Sequence, residues 1–349
     1  MLRIPKRLVL AISLLGVVAL ALSLTSAHGG KHNRGPAVKN PVFHVIEAMP
    51  INSSPIPPGG LHTRQNGNLG ESEELFYHGG PVQRSNANFL IFWEPPALQD
   101  GTPTQISASY VSLVERYFND VGASGLYNNN TQYYDTTGSI SDNSYLAGVY
   151  FDTSPYPPSD CFDSAQPSGC IGADDIAAEV NRVMGTTGWT AEIGHQFNVY
   201  LAPGEGGCFT ESHVSCFDTT WCAYHGWMRT NGQDITMAVM PYIGTYLNCS
   251  VIAPPTVSLN GNLDADNVIN ATSHEQMESV TDPQVTAGNT GWNHNGGDEI
   301  GDLCAWYFGN YWTLNGGYAD EAWGPNGQDL YIVQTEWDQS TESCVNAGP

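Results

Sequence analysis

Positive charge is what this sequence most lacks. It holds 11 Lys and Arg against 35 Asp and Glu, a formal charge of −24, although charged residues are only 13% of its 349 positions. A surface so poor in cations cannot neutralise phosphates, which excludes nucleic-acid binding and basic attachment to anionic membranes. Beyond the N-terminus no apolar run approaches membrane-spanning length, and no internal repeat of fixed period is visible. No second CxxC or CxxH cluster accompanies Cys222-Ala223-Tyr224-His225, so a tetrahedral zinc-finger site has no second half. What is abundant is apolar and aromatic mass, 41% hydrophobic with nine Trp, eleven Phe and seventeen Tyr, and that excludes a wholly disordered chain.

The N-terminus carries an address. Arg3, Lys6 and Arg7 precede an apolar run over residues 8–24, and Thr25-Ser26-Ala27 offers a small-residue cleavage site, so residues 1–27 read as a secretory signal peptide. Its removal takes away three bases and no acid, leaving −27. An uncleaved anchor is the rival reading; after cleavage no stable membrane association is expected. Residues 28–70 contain six Pro and seven Gly, too little to bury, and are expected to be a disordered linker or a pro-segment. Residues 71–349 are expected to form one large domain. It contains all eight Cys, and an even count in an exported chain implies disulfides, with Cys161–Cys170 and Cys208–Cys216 suggested by proximity in sequence. Localisation is therefore expected to be secreted and extracellular.

Strand-like runs at 88–93, 146–151, 197–201 and 235–240 each end at Pro, Gly or Asp within a few residues. Helical spacing appears between them at 105–120 and 172–184. The last 65 or so residues are rich in Gly, Asn, Trp and Tyr, with short strand-like pieces such as 329–334. The expected fold is α/β (α+β): a mixed sheet with an active-site helix, followed by an irregular C-terminal part held by disulfides.

The chemistry concentrates in residues 262–283. Asp264 and Asp266 favour a helix N-terminus and Pro283 ends the helix, with Ile269, Ser273, Met277 and Val280 as a buried stripe. His274 and Glu278, four apart, share one side with β-carbons about 5–6 Å apart, near enough to ligate one ion. Glu275 stands beside them, where the zincin HExxH helix carries its general base; Glu278 replaces the second His. HExxE alone also fits a solvated surface helix. Weight comes from Glu299, 25 residues after His274, and Asp302 just beyond it. Gluzincin-type enzymes place a glutamate ligand at comparable separation, followed by an Asp that orients the first histidine, so Glu299 is the expected third ligand and Asp302 its supporting partner or an alternative ligand. His294 is a further candidate, with a solvated loop as its simpler reading. One His and two carboxylates suit Zn²⁺ first and leave Mn²⁺, Fe²⁺ or Ca²⁺ open.

Residues 273–283, Trp292, residues 299–306 and the earlier Tyr77-His78-Gly79-Gly80-Pro81-Val82 together resemble the Exordium/phosphate-induced protein family and its secreted bacterial relatives. Residues 222–226, 240–242 and 336–345 are similar to the bacterial members in the same order, so the resemblance covers roughly residues 76–345. It implies an exported, wall-associated domain in which HExxE is the family's own pattern. His78 and His225, in two of these motifs, are candidates for binding substrate or stabilising an oxyanion; a structural, hydrogen-bonded role is the simpler reading. Two functions follow as expectations. One is a zincin-like, metal-dependent hydrolase, a peptidase acting on a peptide or cell-wall-associated substrate; the other is a non-catalytic extracellular signalling or wall protein with a structural metal.

Overall fold

The computed structural model describes residues 42–47, 74–209, 215–244, 248–252, 254–285 and 288–349. These all belong to one compact unit within Arg34–Pro349. The signal-peptide reading of residues 1–27 lies outside the described residues, as does most of the 28–70 segment.

Six strands build the central sheet: β1 (Val42–Glu47), β2 (Asn86–Trp93), β3 (Ser144–Asp152), β4 (His195–Leu201), β5 (Trp221–Thr230) and β6 (Gln233–Met240). Their spatial order is β1-β5-β6-β4-β2-β3. The β6-β4-β2-β3 side is parallel, while β5 runs antiparallel to both β1 and β6. Parallel strands need long crossovers, and helices α1 (Ala108–Asp120) and α2 (Ala173–Thr187) lie in them, α1 between the neighbours β2 and β3 and α2 in the return from β3 to β4 on the far side of β2. Periodicity places these elements to within a few residues. Two differ from expectation. β5 was not legible as a strand, and β1 comes from inside the stretch expected to have too little to bury: its Val42-Phe43-His44-Val45-Ile46 run pairs along β5.

The third long helix, α3 (Leu263–Thr281), packs on β5, β6 and α1. Asn262 caps it, its Oδ1 accepting from the Ala265 amide, with Asp264 and Asp266 in the first turn. It stops at Asp282, which precedes Pro283. One buried stripe was expected, but residues 265–281 are buried all round. Amide chemistry explains how the polar side is accommodated. Gln276 donates to Asn86 Oδ1 and Ser144 Oγ, both at 2.8 Å, and accepts from Tyr117 at 2.7 Å. Asn86 in turn donates to Gln83 and Gln196, and Asn88 donates to Asn86. A buried polar group is tolerated when its partners are present, and this layer supplies them across three strands and two helices.

All eight cysteines are paired. Cys161–Cys170 and Cys208–Cys216 form as sequence proximity suggests; Cys222–Cys249 and Cys304–Cys344 are the long-range pair of bridges. The bridge at Cys222 removes the CxxH metal reading. After α3 the chain is irregular, with three-residue hairpin strands such as Glu336–Asp338 with Ser343–Val345. The fold is α+β with disulfide-held parts. Among the described residues no helix is long and apolar enough to cross a membrane.

Candidate metal centre

Helix α3 presents His274, Glu275 and Glu278 to the sheet rather than to water, and all three are fully buried. The i, i+4 spacing brings His274 Nε2 to 2.9 Å from Glu278 Oε1. From β5, which α3 crosses, His225 enters the same space. Its Nδ1 lies 3.1 Å from Glu275 Oε2 and 3.4 Å from Glu278 Oε2, and its Nε2 lies 3.6 Å from Glu299 Oε2. The loop after α3 closes the group with Glu299 and Asp302, whose Oδ1 is 3.7 Å from His274 Nε2.

That loop is locked onto the helix. The Asp302 amide donates to Glu278 Oε1 at 3.1 Å, and Asp302 Oδ2 accepts from the Glu299 amide at 2.9 Å. Gly301 is required by close approach: a Cβ there would stand 2.7 Å from His274 Nδ1. The Cys304–Cys344 bridge follows directly and ties the loop to the C-terminal hairpin. From that region Gln334 Nε2 reaches within 2.8 Å of His274 Nδ1 and donates to the Gly301 carbonyl at 2.9 Å.

Burial disfavours charge on every member, so their pKa values move according to what faces them. Desolvation works against a charged His274, yet Glu278, Glu275 and Asp302 outweigh it and push its pKa up to about 10. His225 rises well above its usual value for the same reason, with Glu299, Glu275 and Glu278 overcoming burial. Glu275 is raised by desolvation, which its two imidazole neighbours only partly offset. Glu336, also fully buried, is raised by desolvation and interacts with His274, Glu278 and Asp302.

No family model, curated protein or solved structure matches the chain. The likeness to the Exordium family therefore rests on the motifs quoted above.

The structure brings together His274, Glu275, Glu278, Glu299 and Asp302, and with them His225, which the sequence offers as a substrate-binding or structural residue. Donor atoms of His225, Glu278 and Glu299 lie within 4.8 Å of one another, and so do those of His274, Glu278 and Asp302. Asp302 thus faces His274 Nε2, and the group on the Nδ1 side of the ring is Gln334. Gln334 had no local signal and Glu336 only its place at the start of the resembling segment 336–345; both reach the site through the C-terminal fold. His78 is not in this group; it is exposed, its Nε2 3.2 Å from the Asn293 carbonyl. His294 also stands apart, 3.7 Å from Asp298.

The donor set fits a divalent cation. Imidazole nitrogen and carboxylate oxygen are ligands of Zn²⁺, Mn²⁺ and Fe²⁺. The four described arginines, Arg84, Arg116, Arg182 and Arg229, are engaged elsewhere with Thr137, Asp329, Asp152 and Asp234, so among the described residues no fixed cation compensates the buried carboxylates.

Proposed function

We propose that this is a secreted, metal-dependent hydrolase of zincin-like design, a peptidase acting on peptide or cell-wall-associated substrate, in an Exordium-like domain. The observation that carries the reading is the arrangement of His and carboxylate donors around Glu278 with a further buried acid, Glu275, beside them. A bound cation would polarise a scissile carbonyl and acidify water. Its ligands would be drawn from His274, His225, Glu278, Glu299 and Asp302. Glu275 Oε2 accepts the Nδ1 proton of His225, which orients that ring, while its Oε1 has no protein hydrogen-bond partner and is open to take a proton from a nucleophilic water. Four disulfides and the N-terminal address support export.

Burial favours a second reading. Four of the six site residues are fully buried and Asp302, with 14% of its side chain exposed, is where the cluster meets the surface. Structural metal sites are closed, so a non-catalytic extracellular protein with a structural ion also fits. Glu275→Gln separates the two, because glutamine can still accept from His225. Assayed on a broad peptide library, wild type is expected to cleave and Glu275→Gln to lose roughly 10²–10⁴-fold in rate while retaining bound metal. A metal-loaded wild type that cleaves nothing across the pH range would favour the non-catalytic protein.

A further inference from the structure

We infer that the cluster is a two-ion centre bridged by Glu278, with one divalent cation on His225, Glu278 and Glu299 and a second on His274, Glu278 and Asp302. The inference rests on the metal-dependent reading above and deepens it: the sequence pattern asks for one ion on His274, Glu278 and Glu299, and the geometry divides the donors differently. A single ion about 2.0–2.2 Å from each ligand needs every donor pair within about 4.4 Å. The five residues fall into two sets rather than one, each with its donor atoms within 4.8 Å of one another, and Glu278 is the member common to both. Its two oxygens face different imidazoles, Oε1 toward His274 Nε2 at 2.9 Å and Oε2 toward the His225 ring, 3.4 Å from Nδ1; with the Nδ1 proton given to Glu275, His225 would ligate through Nε2, 3.6 Å from Glu299 Oε2. A carboxylate so placed can bridge ions about 3.5–4 Å apart, the spacing of two-metal hydrolytic sites.

Charge points the same way. Five buried or nearly buried carboxylates, Glu275, Glu278, Glu299, Asp302 and Glu336, converge on two imidazoles, and the described arginines are engaged elsewhere. With neutral imidazoles the three proposed ligand carboxylates carry −3, so two divalent ions leave +1, which Glu275 and Glu336, buried beside them, can offset where they ionise. Glu336 is an independent sign on the His274 side. It is fully buried, neither of its oxygens has a hydrogen-bond partner, and its electrostatic neighbours are His274, Glu278 and Asp302. Ligation through His274 Nε2 puts the ring proton on Nδ1. Gln334 then meets it by turning its carbonyl oxygen inward, giving up both its bond to the Gly301 carbonyl and the one its oxygen accepts from the Trp306 amide.

The test is metal stoichiometry on the purified chain, stripped with chelator and dialysed separately against Zn²⁺ and Mn²⁺. Two ions per chain are expected in wild type, one each in His225→Ala and His274→Ala, and fewer than one in Glu278→Ala. Electron paramagnetic resonance of the Mn²⁺ form should show exchange-coupled ions in wild type and an isolated ion in either histidine variant. One ion in wild type overturns the bridge and leaves the metal-dependent reading standing; none removes both. Two ions without coupling, or a folded histidine variant that keeps both or loses both, also overturn it. Should the alanine variants fail to fold, the wild-type count and spectrum decide alone.

Discussion

Gly301 shows how closely single residues are fitted at the centre. Its φ of −79° is open to any amino acid, so what demands glycine is space: a Cβ would lie 2.7 Å from His274 Nδ1, 2.9 Å from Cε1 and 3.0 Å from Glu278 Oε1. An added methyl group must push the imidazole and the carboxylate away from their present places. Gly301→Ala is therefore expected to leave the fold intact by circular dichroism and to weaken metal binding roughly 10–100-fold in a competition titration, the range seen when groups behind a ligand are disturbed. Unchanged affinity would mean the loop shifts freely and the packing argument fails. The glycine was visible in the sequence as part of Glu299-Ile300-Gly301-Asp302, but its reason was not, because the reason is an atom on a helix 27 residues earlier. His225 is the same lesson in stronger form. Its motif was noticed, yet only the pairing of β5 with its neighbours carries it to Glu275 and Glu278.

Helix α3 was the most legible element, since a cap, an acidic first turn and a terminating proline all lie within it or next to it in the chain. Its surroundings were not. Polar residues on a helix ordinarily face water, and here they face an amide layer contributed by β2, β3, β4 and α1, which no local window contains. Strand β5 escaped notice for a related reason: it is buried on both faces over Trp221–His225, so hydrophobic alternation is absent. Gln276 is the point where α3 is keyed to this layer, which fixes the rotation that aims His274 and Glu278. Gln276→Leu leaves the Tyr117 hydroxyl without its acceptor and should destabilise the protein by about 1–3 kcal/mol in urea unfolding. Pairing it with Tyr117→Phe removes the stranded hydroxyl, so the double variant should lose less than the sum of the two single changes. Strict additivity would show that Gln276 and Tyr117 do not act as a pair.

At the scale of the whole molecule the acidic excess sets the pH response. Glu205 is fully buried between Gln99, which donates to its Oε1 at 2.8 Å, and the backbone of Gly169; its Oε2 has no hydrogen-bond partner. Burial pushes its pKa up to about 8; the Gln99 bond opposes this and the charge of Asp175 adds to it. A carboxyl whose folded pKa exceeds its unfolded value binds more protons when folded. Its stabilising contribution is thus complete well below pH 4.5 and falls away as pH rises through 8, by at most about 5 kcal/mol. Mutual repulsion among the many surface carboxylates works in the same direction. Binding of the proposed metal would work in the other, because ligands must lose protons. Glu205→Gln isolates the one group, since the other terms are common to both proteins and cancel in the difference. Glutamine imitates the protonated acid, so the variant should match wild type at about pH 4 and exceed it at pH 8 in the midpoint of urea unfolding. Parallel curves across that interval would show that Glu205 ionises in place, and would shift the acid preference of this fold onto the surface charges alone.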